Sequence, residues 1–147
     1  ELFKGEPFLV VSADIYTDYP YGQLICQSPP RGGGHLVLVS NPDHNPEGDF
    51  ILRSGKLGTN HNWRNIEKAA PEKMNPVTLT YSGIGLFDPR FFLGHSEGKR
   101  PLRPLLNAGI DAALISWEHY LGNWFDIGTP ERWEAANNTV ATESATI

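Results

Sequence analysis

The chain alternates between short apolar runs and polar segments rich in glycine and proline. Two continuous apolar runs, 8–12 and 35–40, are rich in β-branched residues. The first predicts a strand buried on both faces, as in a parallel sheet with helical cover, and the second predicts another apolar strand. Segment 77–81 alternates apolar and polar positions, which is typical of a half-buried strand. Further strands are predicted at 49–53 and 113–119. The chain therefore contains enough strand signals for one sheet.

Helices are predicted between and after these strands. Asp88 followed by proline has the pattern of a helix start, and apolar residues recur at helical spacing over 102–113. Thr129, also followed by proline, predicts a last helix ending at Ala136, and a flexible tail is expected over 137–147. Strands mixed with helices favour an α/β fold over an all-β sandwich.

Composition narrows the class of protein. The 147 residues, 39% of them hydrophobic, suit one domain with a real core. Only 12 Lys and Arg oppose 17 Asp and Glu, which argues against a nucleic-acid partner. The single cysteine, Cys26, excludes an internal disulfide framework, and the five histidines lack a zinc-binding spacing. No apolar run approaches the length of a membrane-spanning helix.

Two aspartates stand where metal chemistry is plausible. Asp14 directly follows the first apolar strand, and open α/β sheets bind ligands beyond the carboxyl ends of their strands. Its alternative role is to form the turn. Asp126 lies between two apolar residues and needs a partner if it is partly buried. It could hold a metal or cap the helix that follows, although Thr129 already fits the role of cap.

Four segments, taken in order, resemble the sugar-1-phosphate nucleotidyltransferases over about residues 7–136. The most specific block is Trp124-Phe125-Asp126-Ile127-Gly128-Thr129-Pro130-Glu131-Arg132. The others are Phe8-Leu9-Val10-Val11-Ser12-Ala13-Asp14, the stretch 35–50 with Asn41-Pro42 and Gly48-Asp49-Phe50, and Thr78-Leu79-Thr80-Tyr81-Ser82-Gly83-Ile84. The resemblance implies a Rossmann-like nucleotide-diphospho-sugar transferase fold, with a mixed sheet and helices on both faces.

The resemblance also implies a reaction and its partners. An oxygen of a sugar 1-phosphate attacks the α-phosphorus of a nucleoside triphosphate, and pyrophosphate leaves. Asp14 and Asp126 are the expected Mg²⁺ ligands and catalytic residues, and magnesium commonly takes one or two protein carboxylates together with phosphates. Four residues are weaker candidates for sugar contacts: Gly48, Asp49, Ser82 and Gly83. No membrane partner is expected, and the substrates suggest the cytoplasm.

Within the family, these segments favour the branch that makes UDP-N-acetylmuramate in cell-wall recycling. Mannose-1-phosphate guanylyltransferases and glucose-1-phosphate thymidylyltransferases remain alternatives. Ala13 stands where most of the family has glycine, and Ser12 stands where the favoured branch usually has asparagine. Both changes are small and leave the metal role of Asp14 in place.

One part of the family pattern is absent from these residues. The Ala-Ala-Gly-x-Gly-x-Arg loop that cradles the triphosphate does not occur, nor does the Lys-Pro pair that follows it. We therefore expect residues 1–136 to be the C-terminal two-thirds of a nucleotidyltransferase domain whose N-terminal third is missing. Alone it should be inactive, with an apolar face covered by self-association or by a second polypeptide. A non-catalytic sugar-nucleotide-binding module is the alternative, although Asp14 and Asp126 argue against it.

Overall fold

The computed structural model of the chain describes residues 5–53, 55–59, 76–95 and 98–144. The strands are β1 (Phe8–Val11), β2 (Ile15–Thr17), β3 (Gly34–Val39), β4 (Phe50–Arg53), β5 (Lys56–Gly58), β6 (Val77–Phe87), β7 (Ile115–His119) and β8 (Trp124–Asp126). The helices are α1 (Tyr21–Ile25), α2 (Arg103–Asp111) and α3 (Pro130–Ser144), with a 3₁₀ turn at Pro89–Phe92. Within these ranges, no helix has the length and apolar character needed to cross a membrane.

The long strand β6 organises a mixed six-stranded sheet in the described part of the chain. The order is β5-β4-β6-β3-β7, and β1 also pairs with β6. Strand β3 is antiparallel to β6 and parallel to β7. Because β6 has 11 residues, β4 pairs with its first part and β1 with its last part. The predicted α/β class with a mixed sheet is therefore confirmed.

The sequence interpretation of β1 is wrong in one respect. The apolar run predicts a strand buried on both faces of a parallel sheet, whereas β1 runs antiparallel to β6 and Val11 is 40% exposed. An apolar run favours burial, but it sets neither the direction of the neighbouring strand nor the cover on each face of its own strand.

Helices cover both faces of the sheet, as the resemblance implies. Leu36 and Leu38 of β3 point to one face, where Leu106 and Ile110 of α2 join a cluster with Phe50 and Phe87. The side chain between them, Val37, points to the other face. There Leu24 of α1 packs with Tyr19, Ile84 and Leu86. The alternation of side chains along β3 thus divides the core into two layers.

Asp88 begins a four-residue 3₁₀ turn where the sequence predicts a helix, whereas Thr129 precedes the predicted last helix, which is longer than expected. Asp88 caps the 3₁₀ turn by accepting a hydrogen bond from the Arg90 amide at 2.9 Å. Helix α3 continues to Ser144, beyond the end predicted at Ala136. Ala136 is buried and anchors the helix, and each further residue adds a backbone hydrogen bond once a helix has formed. Residues 145–147 of the predicted tail lie outside the described residues.

Candidate active site

The two candidate metal ligands meet through a small second sheet. Trp124–Asp126 forms β8 and pairs antiparallel with β2. Ile15 faces Asp126 in this pairing, and the Ile127 amide donates to the Asp14 carbonyl at 2.8 Å. Asp14 and Asp126 are therefore neighbours in space.

Both aspartate side chains face the backbone of Gly128. A Cβ atom built on this glycine would lie 3.1 Å from Asp126 Oδ1 and 3.2 Å from Asp14 Oδ2. An Arg132 guanidinium nitrogen would lie 3.0 Å from the same atom, so the two carboxylates and this cation converge on the space that the absent side chain leaves. Two carboxylates facing one space form the donor set that Mg²⁺ uses when substrate phosphates supply its remaining ligands. The residues present fit that ion.

The Asp126 carboxylate is held by three donors. Its Oδ1 accepts from the Gly128 amide at 2.8 Å and lies 3.2 Å from an Arg132 guanidinium nitrogen. Its Oδ2 lies 3.0 Å from His44 Nε2. Within the described ranges, no group of three or more His, Cys, Asp or Glu side chains could hold a metal ion. A protein-only metal cage is thus not formed there, and an ion held by the two aspartates would need further oxygens from water or from the substrate.

A pocket opens beside Asp126. Its volume is about 320 Å³, and its walls include His44, Trp124, Asp126 and Arg132 together with the first half of α3. Arg132 and His44 bring donors, and Trp124 brings an apolar wall. Asp43 and Asp126 bring carboxylates, so a ligand with hydroxyl groups and a cyclic body suits such a lining.

Two tyrosine hydroxyls tie the segment that follows β2 to the end of β7. The Tyr19 hydroxyl donates to Glu118, and the Tyr120 hydroxyl donates to Asp18. Burial raises the pKa of Tyr120 to about 12, and the neighbouring Asp18 carboxylate adds to the effect. Burial also raises the pKa of Tyr19. Both hydroxyls therefore stay protonated at neutral pH and act as donors that fix the segment following Asp14.

Ser82 and Gly83 form a bulge in β6. Val37 faces Ile84 while Leu38 faces Tyr81, so the two residues between have no partner on β3. Ser82 is 1% exposed, and its hydroxyl donates to the Val37 carbonyl at 2.7 Å. The Ser82 hydroxyl is thus engaged inside the sheet.

The bulge contacts the segments that precede both aspartates. Gly83 has φ +82°, and a Cβ atom on it would lie 2.5 Å from Ser12 Oγ. The Ser12 amide donates to the Gly83 carbonyl at 2.9 Å, and the Trp124 indole donates to the Ser82 carbonyl at 2.9 Å. Strand β6 therefore braces the chain two residues before Asp14 and two residues before Asp126.

The other two sugar-side candidates lie at the loop between β3 and β4. Gly48 has φ +68°, and its missing Cβ leaves room for the Asn41 side chain. Asp49 accepts from the Tyr81 amide at 2.9 Å and pairs with Arg103 at 2.7 Å. Asp49 thus contacts β6 one residue before the bulge, so the structure brings it near Ser82. Direct sugar contacts by these residues remain predictions.

Sequence reasoning missed His44 as a site residue. The histidines have no zinc-binding spacing, and nothing local marks the histidine of a polar loop as a partner of Asp126. Arg132 had a usable signal, since it closes the block that begins at Trp124.

No family model matches the chain. It is 34% identical over 139 residues to an N-acetylmuramate alpha-1-phosphate uridylyltransferase of Neisseria meningitidis serogroup B. The matched region covers 92% of this chain and 55% of that protein. It is also 26% identical over 131 residues to probable mannose-1-phosphate guanylyltransferase 3 of Oryza sativa subsp. japonica. That matched region covers 86% of this chain and 34% of that protein.

A solved structure shares the fold. It is a Bacillus anthracis protein assigned as a glucose-1-phosphate thymidylyltransferase, in complex with sucrose. The TM-score is 0.65 at 16% identity, over 94% of this chain and 56% of that one. The chain thus spans about half the length of its first curated relative and of this structural neighbour.

Proposed function

Because the chain is related in sequence to the sugar-1-phosphate nucleotidyltransferases and has their fold, we propose that this protein transfers a nucleotidyl group to a sugar 1-phosphate. A phosphate oxygen of the sugar 1-phosphate forms a bond to the α-phosphorus of a nucleoside triphosphate. The bond from that phosphorus to the bridging oxygen breaks, and pyrophosphate leaves with the electron pair. The products are a nucleotide-sugar and pyrophosphate.

The observation that carries this proposal is the approach of Asp14 and Asp126 to one space beside Gly128. When bound there, Mg²⁺ would supply positive charge to the reacting phosphates. Asp14 and Asp126 would hold it, and Arg132 offsets part of their negative charge. The rest of the task is to align two polyanions, which needs no protein nucleophile.

The substrate pair is proposed to be UTP and N-acetylmuramate 1-phosphate. The relative with 34% identity carries uridylyltransferase in its name, whereas the guanylyltransferase is 26% identical. The product would be UDP-N-acetylmuramate, which serves cell-wall recycling, and its nucleotide substrate suggests a cytoplasmic reaction.

The 147 residues carry the two aspartates but lack the Ala-Ala-Gly-x-Gly-x-Arg loop. In the family this loop cradles the triphosphate, so charge on the leaving pyrophosphate would not be offset without it. We therefore propose that these residues alone do not catalyse the reaction. Pyrophosphate release by the purified 147-residue chain, given Mg²⁺ and both substrates, would contradict this.

The test of the function is a substrate panel on the full-length protein. UTP, GTP and dTTP are each combined with the 1-phosphates of N-acetylmuramate, mannose and glucose, and pyrophosphate release is followed. The expected result is the highest kcat/KM with UTP and N-acetylmuramate 1-phosphate. A preference for another pair of substrates overturns the substrate assignment but leaves the proposed reaction class unchanged. If no pair of substrates releases pyrophosphate, the proposed reaction class is overturned.

A further inference from the structure

The two carboxylate oxygens of Asp126 are held by different parts of the chain. The donors to Oδ1, the Gly128 amide and Arg132, follow Asp126 directly along the chain. The contact to Oδ2 comes from His44, in the loop between β3 and β4. Among the described residues, His44 is the group that contacts Oδ2. Rotation of the Asp126 carboxylate is therefore opposed on one side by its own turn and on the other by His44.

The loop that carries His44, residues 41–48, is itself fixed. Asn41 donates to the Thr78 hydroxyl at 2.8 Å and to the Pro46 carbonyl at 3.1 Å. Asn45, next to His44, donates to the Thr80 hydroxyl at 3.1 Å. Both threonines belong to β6, the strand that also carries the Ser82–Gly83 bulge. The imidazole is thus presented to Asp126 from a loop anchored on the sheet.

The contact leaves the carboxylate able to bind a cation. A carboxylate has about four lone-pair sites, and the Gly128 amide, Arg132 and His44 occupy three of those on Asp126, which leaves one for a cation. Groups that orient a ligating carboxylate or imidazole commonly change metal affinity by about 10- to 100-fold when removed. His44 is 36% exposed at its side chain, so its main fixed partner is Asp126 and not the core.

We propose that His44 is a positioning residue that holds Asp126 in the orientation in which it faces the same space as Asp14. This inference rests on the proposed function, because it assigns a role for His44 toward the ion that the two aspartates would hold. His44 acts through Asp126 Oδ2 and does not itself touch the ion. Loss of this donor lets the carboxylate turn away from Asp14, and the affinity for a divalent cation falls.

The test measures Mn²⁺ affinity of the full-length protein by electron paramagnetic resonance and calorimetry, without substrates. His44→Ala should weaken Mn²⁺ binding about 10-fold. The amide nitrogen of a glutamine reaches nearly the position of Nε2, whereas that of an asparagine does not. His44→Gln should therefore recover most of the affinity and His44→Asn should not. Melting temperatures report whether each variant is folded.

The matched control is His119→Ala. His119 is also exposed and also makes one hydrogen bond, at 3.2 Å to Ser40, and its variant should bind Mn²⁺ as the parent does. Unchanged or tighter binding by folded His44→Ala and His44→Asn overturns the inference. If Asp14→Asn and Asp126→Asn abolish binding in that case, the metal site stands and only the role of His44 fails. If those two variants also bind normally, both the metal site and the role of His44 fail.

Discussion

Ile15 and Asp126 face each other across β2 and β8, and this pairing places Asp14 beside Asp126. The two strands have only three residues each. The Ile127 amide extends the pairing by donating to the Asp14 carbonyl. The two aspartates thus depend on backbone pairing for their approach, and side-chain substitutions at these positions should disturb chemistry more than folding.

Asparagine in place of either aspartate should remove activity while the fold persists. Asp14→Asn and Asp126→Asn keep the side-chain size but remove a carboxylate charge, so the full-length protein should lose on the order of 100-fold or more in kcat/KM. Steady-state pyrophosphate release measures the loss, and circular dichroism checks the fold. Glu134→Gln removes an exposed carboxylate from α3 and serves as the control with near-parental activity. Near-parental rates in either aspartate variant would contradict the assigned roles.

A side chain at Gly83 should be costly because it meets both strain and a clash. Gly83 has φ +82°, and its Cβ would lie 2.5 Å from Ser12 Oγ. Gly94 has φ +80°, but a Cβ atom on it would have nothing within 4 Å. Gly94→Ala therefore measures the cost of backbone strain alone, about 1–2 kcal/mol. Gly83→Ala should cost about 1–3 kcal/mol more in the free energy of unfolding, measured in urea. Equal costs for the two variants would show that Ser12 and the bulge do not pack as described.

Removal of the Trp124 indole donor should destabilise the bulge. Trp124→Phe keeps an aromatic ring but leaves the Ser82 carbonyl without the hydrogen bond it accepts at 2.9 Å. The free energy of unfolding should fall by about 1–3 kcal/mol, since the carbonyl lies at a buried residue. Trp133 is 56% exposed, and Trp133→Phe is the control with little effect. The prediction fails if the two tryptophan variants are equally stable.

Stability should fall in mild acid because of His35. His35 is 9% exposed, and its Nδ1 lies 2.9 Å from the Ser116 hydroxyl. Burial lowers the pKa of His35, and the nearby Glu118 opposes this only in part. The unfolded chain, with a histidine pKa near about 6.5, then takes up the proton more readily than the folded chain. The stabilisation is present above that value and is lost as the pH falls below it.

Urea unfolding between about pH 7 and about pH 5 measures this loss. His35→Gln cannot take up the proton and should show a flatter dependence of stability on pH. His95 is exposed, so His95→Gln should retain the parental dependence. A parental slope in His35→Gln would assign the acid sensitivity to other groups.

Local patterns in the sequence predicted the elements whose signals repeat within one segment. The apolar run of β3, the alternation of β6 and the helical spacing of α2 each follow from burial of one face or of both. The Asp88 cap follows from proline and aspartate chemistry at a helix start. Asp14 could be chosen as a candidate because it directly follows an apolar strand, and Asp126 because it lies between apolar residues where a carboxylate needs a partner.

The tertiary structure alone decided how these pieces form a site. Strands of three residues are too short to carry a period of their own, so β2 and β8 exist through pairing with each other. The register shift that forms the Ser82–Gly83 bulge depends on β3, and the contact of His44 with Asp126 depends on a loop anchored to β6. The sequence by itself determined which side chains can bind charge or cap a helix. Their distances followed only from the packing of distant segments, because a local pattern carries no information about the partner that a folded chain brings to it.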